Sequence, residues 1–211
     1  TYHKGWQKFR KMLADPRRKD YRTFSFDVLM ANPPFAGDIK QTDMLAPYDL
    51  AHKRNKDGSL GKLESAVGRD LLFIERNLDF LKPGGRMAVV LPQGRFNNTS
   101  DQRVRDFIAE RCRILAVVGL HPNTFKPHSG TKTSVLFVQK WNDDPAAGPM
   151  CPRVDDYNIF FATQQLKAKD NSGDKIIVLG KDGQPLRDSH GHWIIQHDLF
   201  NHEGLTQDGI A

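Results

Sequence analysis

Long apolar runs and cysteines are scarce in this sequence. No stretch approaches the ~20 consecutive apolar residues that a membrane-spanning helix needs. No charged-then-apolar segment typical of a signal peptide stands at its start. The two cysteines, Cys112 and Cys151, are too few for a disulfide framework or a zinc site with four cysteine ligands. We therefore predict a cytoplasmic protein without membrane association.

Phosphate-binding and metal-binding motifs are scarce too. No Gly-Lys-Ser/Thr loop is present, and Gly5 is the only glycine in the first 36 residues. His190-Gly191-His192 is a conceivable metal-binding pair, but its setting is turn-like and no cysteine stands near it. We therefore predict no metal site.

Positive charge is in excess, with 31 Lys and Arg against 25 Asp and Glu and a formal net charge of +6. A cationic surface gains from counterion release at phosphates, so this charge permits nucleic-acid binding without establishing it. Residues 1–24 are especially basic. Trp6, Phe9, Met12 and Leu13 could line one face of a short helix there, either as a solvated surface helix or as a segment that contacts phosphates.

Apolar periodicity predicts an α/β fold. The runs 26–31, 87–92, 114–120 and 133–138 indicate strands, and the first shows the little alternation expected when both faces of a sheet are covered. Apolar residues from Val67 to Leu81 recur at spacings of four and three, which predicts a helix that ends at Lys82-Pro83-Gly84-Gly85. Thr99-Ser100-Asp101 predicts the cap of a second helix. The last two strands are expected to form a hairpin.

Two stretches lack a clear periodicity. Residues 36–62 indicate one long loop, which in a compact domain is usually functional or disordered. Residues 143–149 are linker-like, and the tail beyond them offers possible strands at 158–162 and 175–179.

The first strand ends at Asn32-Pro33-Pro34-Phe35. Two prolines fix the backbone and hold Asn32 and Phe35 in a set orientation at the carboxyl edge of the sheet, where open α/β sheets bind ligands. An exocyclic amine is a poor nucleophile, and acceptors aimed at its N–H groups favour a reactive geometry. The Asn32 side-chain oxygen and the Pro33 carbonyl could be those acceptors, while Phe35 could stack on a planar substrate. A bare Asn-Pro-Pro is equally compatible with a turn that closes a strand.

The sequence 26–35, Phe-Asp-Val-Leu-Met-Ala-Asn-Pro-Pro-Phe, resembles the catalytic motif of adenine-N6 DNA methyltransferases. It is most similar to the modification (M) subunits of type I restriction-modification systems. The resemblance continues through 72–94, which contains Lys-Pro-Gly-Gly, through 123–125 and through 131–137, so that it covers roughly residues 24–140.

The resemblance implies S-adenosylmethionine as cofactor and double-stranded DNA as substrate, with a specificity subunit and a restriction subunit as partners. Carried over by residue, Asn32, Pro33, Pro34 and Phe35 form the catalytic motif, and Asn32 also borders the cofactor. Phe35 would stack on the adenine. Phe125 would supply a second aromatic wall, or it would be a core residue beneath its loop.

One departure from the family pattern concerns the cofactor. The family's glycine-rich turn and acidic residue lie upstream of the catalytic motif, and nothing before Asn32 has that pattern. In a sheet commonly ordered 3-2-1-4-5-7-6, this chain would supply strands 4-5-7-6, the C-terminal half of a Rossmann-like class I methyltransferase sheet. We therefore expect a fragment made of a basic segment 1–24, a catalytic half-domain 25–141 and an irregular, β-containing extension 142–211.

Competing functions stay open at this point. Families that methylate a protein glutamine or an RNA guanine share Asn-Pro-Pro, usually with Tyr next, so Phe35 and the basic charge favour DNA. A non-catalytic module that docks DNA or another subunit is a further alternative. A cytosine-C5 methyltransferase is disfavoured because neither Cys112 nor Cys151 lies in that family's motif, and we expect both thiols to be inert.

Overall fold

The computed structural model describes residues 25–197 and 199. The predicted basic segment 1–24 lies outside the described residues. In chain order the elements are β1 (Phe26–Ala31), β2 (Asp38–Ile39), α1 (Thr42–Leu45), β3 (His52–Arg54), β4 (Leu60–Leu63), β5 (Val67–Gly68), α2 (Arg69–Phe80), β6 (Leu81–Pro92), α3 (Gly94–Asn97), α4 (Gln102–Arg111), β7 (Cys112–Gly119), β8 (Thr133–Lys140) and β9 (Phe160–Thr163), with 3-10 turns at Asp49–Ala51 and Thr99–Asp101.

The main sheet has the order β1-β6-β8-β7-β9. β1 pairs in parallel with β6, β8 is antiparallel to both β6 and β7, and β9 is parallel to β7. The predicted order of the four strands from 26 to 140 is confirmed, as is the antiparallel pairing of the last two. The tail adds β9, close to the strand suggested at 158–162, whereas 175–179 forms only isolated bridges.

The hydrophobic core lies on one face of this sheet. Alternate residues of β6 and β8 point into it, and α2 and α4 contribute their apolar stripes. The other face presents one row across all five strands: Met30, Ala88, Phe137, Ala116 and Phe160. Met30 is 81% exposed and Val28 is 64% exposed. The prediction that β1 is covered on both faces is therefore wrong for the described residues, because α2 and α4 cover the same face.

Residues 36–62 are not one irregular loop. β2 pairs with β5, β3 pairs with β4, and α1 and the 3-10 turn 49–51 lie between them. Leu45, Leu50 and Ala51 are buried in the core. Backbone N–H groups of Asp49 and Leu50 donate to the Glu75 carboxylate at 2.8 and 2.9 Å. These three buried residues hold the segment against α2, and the polar residues around them gave no indication of this in the sequence.

The ends of the two long helices differ from the predictions. α2 ends at Phe80, and Pro83-Gly84-Gly85 lies within β6. Lys140 Nζ donates to the carbonyls of Leu78 and Leu81, both at 2.8 Å, so a side chain from β8 satisfies the end of α2. No side chain caps α4, and residues 99–101 form a 3-10 turn instead. Asp101 accepts from Arg95 Nη1 at 2.9 Å, which takes its carboxylate away from the capping role.

The linker-like stretch 143–149 is held against the domain. Asn142 Nδ2 donates to the carbonyls of Asp144, Gly148 and Pro149 at 2.9 to 3.1 Å. Gly84 has a φ of +72°, and a Cβ there would collide with the Pro149 carbonyl, so only glycine fits this position. The division of the chain at residue 141 stays a prediction. Among the described residues, no helix has the length and apolar character needed to cross a bilayer.

Candidate active site

The Asn32-Pro33-Pro34-Phe35 segment leaves the carboxyl end of β1. Leu29 and Ala31 point into the core and fix the strand on β6. Beyond the strand, Pro33 is buried, Phe35 is half-buried, and Asn32 and Pro34 are exposed. The buried proline holds the turn against the protein while the amide side chain of Asn32 faces solvent. A ligand can therefore reach Asn32 without any rearrangement of the core.

The backbone after Phe35 is tied to the start of α2. Gly37 has a φ of +94°, a conformation that favours glycine. Its carbonyl accepts a hydrogen bond from the Arg69 N–H at 3.1 Å. Carbon and nitrogen atoms of the Arg69 guanidinium lie 3.2 Å from where a Gly37 Cβ would be, so the two groups are in close contact. β2 and β5 extend this attachment.

Parallel strand directions bring the Phe125 loop to the same edge. β1, β6 and β7 all end there, and residues 120–132 leave β7 and return as β8. A hydrogen bond from Leu120 N to Thr133 O, at 2.9 Å, closes the base of this loop. The rings of Phe35 and Phe125 meet with centroids 5.2 Å apart and planes at 77°. The structure thus brings the two predicted aromatic residues together, and Phe125 is half-buried outside the hydrophobic core.

Sequence reasoning missed the polar residues that support this loop. Asn123 and Gln164 are 5% and 6% exposed, and both make hydrogen bonds between the loop and the C-terminal extension. The extension was expected to be irregular and received no role. A buried asparagine in a polar loop has no signature in a single sequence, because its partners lie more than 40 residues away.

The two thiols have the environment of inert cysteines. Cys112 and Cys151 are both free and buried. Burial raises the pKa of Cys112 to about 12, so its nucleophilic thiolate is rare at neutral pH. Burial also raises the pKa of Cys151. This agrees with the expectation that neither thiol attacks a substrate.

The histidine pair and a charged cavity beside α4 lie outside the predicted site. His190 and His192 stack with ring centroids 6.2 Å apart. Within the described residues, no group of three or more His, Cys, Asp or Glu side chains is placed to hold a metal ion. A cavity of about 390 Å³ has a charged lining that includes Asp49, Arg103 and Glu110, and none of the predicted site residues lines it.

Known proteins share sequence with most of this chain. The model of the N-6 DNA methylase family matches residues 4–199. The methylase subunit of the type I restriction enzyme EcoEI from Escherichia coli is 30% identical over 116 residues, which are 54% of this chain and 21% of that protein. The type II restriction enzyme and methyltransferase RM.Eco57I from Escherichia coli is 26% identical over 125 residues, which are 59% of this chain and 12% of that protein.

A solved structure shares the fold. A Listeria monocytogenes protein described as a class I S-adenosylmethionine-dependent methyltransferase superposes with a TM-score of 0.50 at 20% identity, covering 66% of this chain and 36% of that one. At this identity the likeness concerns the mixed α/β fold alone. The matched part of this chain corresponds to about a fifth of the EcoEI subunit.

Proposed function

Because this chain belongs to the N-6 DNA methylase family, we propose that the protein carrying it transfers a methyl group from S-adenosylmethionine to N6 of adenine in double-stranded DNA. The observation that carries the proposal is the contact of Phe125 with Phe35, which stands three residues after Asn32 at the same sheet edge. An amide, a fixed carbonyl and two aromatic rings at one sheet edge suit a planar base that bears an exocyclic amine.

Asn32 and Pro33 activate the amine in this proposal. The Asn32 side-chain oxygen and the Pro33 carbonyl accept hydrogen bonds from the two N6–H groups. Accepting both hydrogens draws the nitrogen lone pair out of conjugation with the ring and towards the methyl donor. Pro33 is buried, and Pro34 after it restricts the ψ of Pro33, so the Pro33 carbonyl keeps its direction without reorganisation during the reaction.

Phe35 and Phe125 hold the extruded base. Enzymes that modify a base take it out of the helical stack and grip it on aromatic side chains. A base between two rings needs about 7 Å, twice an optimal carbon–carbon contact, whereas these centroids are 5.2 Å apart. The rings therefore separate when adenine enters.

When bound, S-adenosylmethionine would supply the methyl group from its sulfonium and leave as a neutral thioether, while N6 would release one of its two protons. The described residues fit one side of such a cofactor. Asn32 is exposed at the carboxyl end of β1, and within 25–197 no strand pairs with the outer edge of β1. We assign Asn32 alone to the cofactor side.

The relatives support a proposal about partners. The EcoEI protein is a methylase subunit of a type I restriction enzyme. We propose that the present protein likewise works in a restriction-modification system, with a specificity subunit that selects the DNA site and a restriction subunit in the same assembly. The net charge of +6 supports contact with the phosphate backbone.

Methyl transfer by the full-length protein tests the proposal. Asn32→Ala is expected to abolish incorporation of tritiated methyl groups into an adenine-containing duplex, because one acceptor for the amine is lost. Asn55→Ala is a matched control, since Asn55 is an exposed asparagine whose side chain bonds Ser59. Retained transfer by Asn32→Ala would contradict the amine-activating role. Transfer to a protein glutamine or an RNA guanine, but not to DNA, would contradict the proposed substrate.

A further inference from the structure

The C-terminal extension holds the start of the Phe125 loop through the residues on either side of Leu120. β9 runs beside β7 and ends at Thr163. The next residue, Gln164, donates its backbone N–H to the Gly119 carbonyl at 2.8 Å. Its side-chain oxygen accepts from the N–H of His121 at 3.2 Å. Gln164 is only 6% exposed, so these bonds are shielded from water and fix the point where the loop leaves β7.

Asn123 joins the loop to the extension two residues before Phe125. Its side-chain Nδ2 donates to the Lys169 carbonyl at 3.0 Å and to Asn171 Oδ1 at 3.2 Å. Asn123 is 5% exposed, and a buried amide without partners is costly. The extension therefore provides acceptors for both hydrogens of the side-chain amide. The backbone carbonyl of Asn123 accepts a hydrogen bond from the backbone N–H of Lys126 within the loop.

A tight turn of the extension contacts the loop residues that follow Phe125. Asp170 Oδ1 accepts the backbone N–H groups of Ser172, Gly173 and Asp174, which fixes the turn. Gly173 has a φ of +101° and packs so closely on the loop that a Cβ would lie 2.6 Å from Pro127 N. Lys169 Nζ also donates to the Lys126 carbonyl at 2.9 Å.

We propose that residues 164–173 of the extension set the position of Phe125 relative to Phe35, and that Asn123 is the positioning residue through which they act. Phe125 belongs to a polar loop, and the extension contacts loop residues that come before and after Phe125 in the chain. Asn123 stands two residues before Phe125, and its side-chain hydrogen bonds go to Lys169 and Asn171 of the extension. Its effect on the reaction is exerted through the ring, whose misplacement by about 1 Å is enough to cost a large factor in rate.

The inference rests on the proposed function, and the two are tested separately in the full-length protein. Hydrogen exchange of the Lys126 and Ser129 amides reports the loop directly, since these amides donate to Asn123 O and Phe125 O. In Asn123→Ala we expect their exchange to speed up about tenfold or more, because two buried hydrogen bonds are lost. This measurement needs neither DNA nor cofactor.

The functional readouts are kinetics and base extrusion. We expect Asn123→Ala to lower kcat for methyl transfer about tenfold or more while KM for DNA changes less than about twofold. Fluorescence from 2-aminopurine placed at the target position of the DNA is expected to fall, because the extruded base loses its contact with the Phe125 ring. Asn171→Ala should follow the same direction, whereas Asn171→Asp keeps an oxygen acceptor for Asn123 and should retain activity.

Asn142→Ala is the matched control. Asn142 is 6% exposed and donates its amide to three carbonyls, but those carbonyls belong to the 144–149 turn. An equal loss of activity in Asn142→Ala would show a general effect of destabilisation and overturn the proposal. Unchanged exchange in Asn123→Ala, or faster exchange with unchanged kcat, would overturn it too. A wild-type protein that transfers no methyl group would contradict the proposed function, and the exchange rates would still decide whether Asn123 anchors the loop.

Discussion

Phe35 lies edge-to-face against Phe125, with ring centroids 5.2 Å apart, although the two residues belong to loops that follow different strands. Edge-to-face aromatic pairs stabilise by about 0.5–1.5 kcal/mol beyond the area that they bury. A base that enters this site must offset that contact with its own stacking on the rings.

Replacement of Phe35 tests this exchange of contacts. Stacking of a base on an aromatic side chain is worth about 1–3 kcal/mol, so Phe35→Ala should lower kcat/KM for DNA roughly 10–100-fold. Phe35→Tyr should stay close to wild type because the ring is kept. The control is Phe73→Ala on the exposed side of α2, where Phe73 is 43% exposed. An unchanged kcat/KM in Phe35→Ala would exclude the stacking role.

Cofactor affinity is expected to be weak for this 211-residue chain alone. Only Asn32 is assigned to the S-adenosylmethionine side of the site. In a calorimetric titration we expect no dissociation constant tighter than high micromolar. A low-micromolar constant would show that the chain holds a much larger part of the cofactor site than we assign to it.

The row of residues on the uncovered sheet face predicts self-association of the isolated chain. Among the described residues β1 is an edge strand, and Met30 and Phe160 at the two ends of the row are 81% and 50% exposed. An apolar edge and face invite pairing with another chain. Light scattering should show oligomers, and Met30→Lys should shift them towards monomer. Met44→Lys, at a 52% exposed site on α1, should leave the distribution unchanged. A monomeric wild-type chain would count against this.

Arg95 neutralises a buried carboxylate. Its Nε and Nη2 donate to the two oxygens of Asp70 at 2.7 and 3.0 Å, and the Asp70 side chain is 3% exposed. Removing one partner of a buried pair costs about 3–5 kcal/mol, because the other charge is left without compensation. Arg95→Ala should lower the free energy of unfolding in urea by this amount. Arg54→Ala, which removes one exposed hydrogen bond to Gly58, should change it by less than about 1 kcal/mol. Similar losses in both variants would contradict the assigned role.

Glu75 makes stability depend on pH. Burial raises the pKa of its carboxyl, although hydrogen bonds from Leu50 N and Asp49 N act in the opposite direction. Because the folded pKa lies above the unfolded value, the native state binds more protons in the window between them. The contribution of Glu75 to stability is complete below the unfolded pKa of 4.5 and is lost as pH rises through the folded pKa.

Unfolding titrations between pH of about 4 and about 7 measure this effect. The free energy of unfolding of wild type, relative to Glu75→Gln, should fall as pH rises, since the glutamine does not titrate. Glu110→Gln at an exposed position controls for loss of a surface carboxylate. A difference between wild type and Glu75→Gln that rises with pH would mean that the backbone donors outweigh burial.

The fold was predictable where apolar residues repeat. Val67 to Leu81 marked the region of α2, and the four apolar runs marked four strands, whose order in the sheet was expected from the family resemblance and is the one observed. The covered faces were not predictable, because Met30 and Val28 look like core residues in sequence and only the common side of α2 and α4 leaves them exposed. The predicted helix cap at residues 99–101 was wrong for a similar reason. Asp101 suits a helix cap locally, yet its carboxylate binds Arg95.

The candidate site could be proposed from the sequence as far as its residues are consecutive. Asn32 to Phe35 could be recognised because spacing and residue type coincide. The loop of Phe125 could be named, but the ring contact depends on strand directions that no local pattern specifies. The support by Gln164, Lys169 and Asn171 could not be predicted, since it consists of single hydrogen bonds between distant polar residues.

The pairing of β9 with β7 and the grip of residues 164–173 on the Phe125 loop come from one continuous stretch of chain. A shortened version of the protein that stops before Phe160 would lose the outer strand and the loop anchor in the same cut. Trimming for crystallisation, or fusion of another protein at this end, should therefore leave the chain intact through at least Lys175, where the bridge to Lys169 closes the turn.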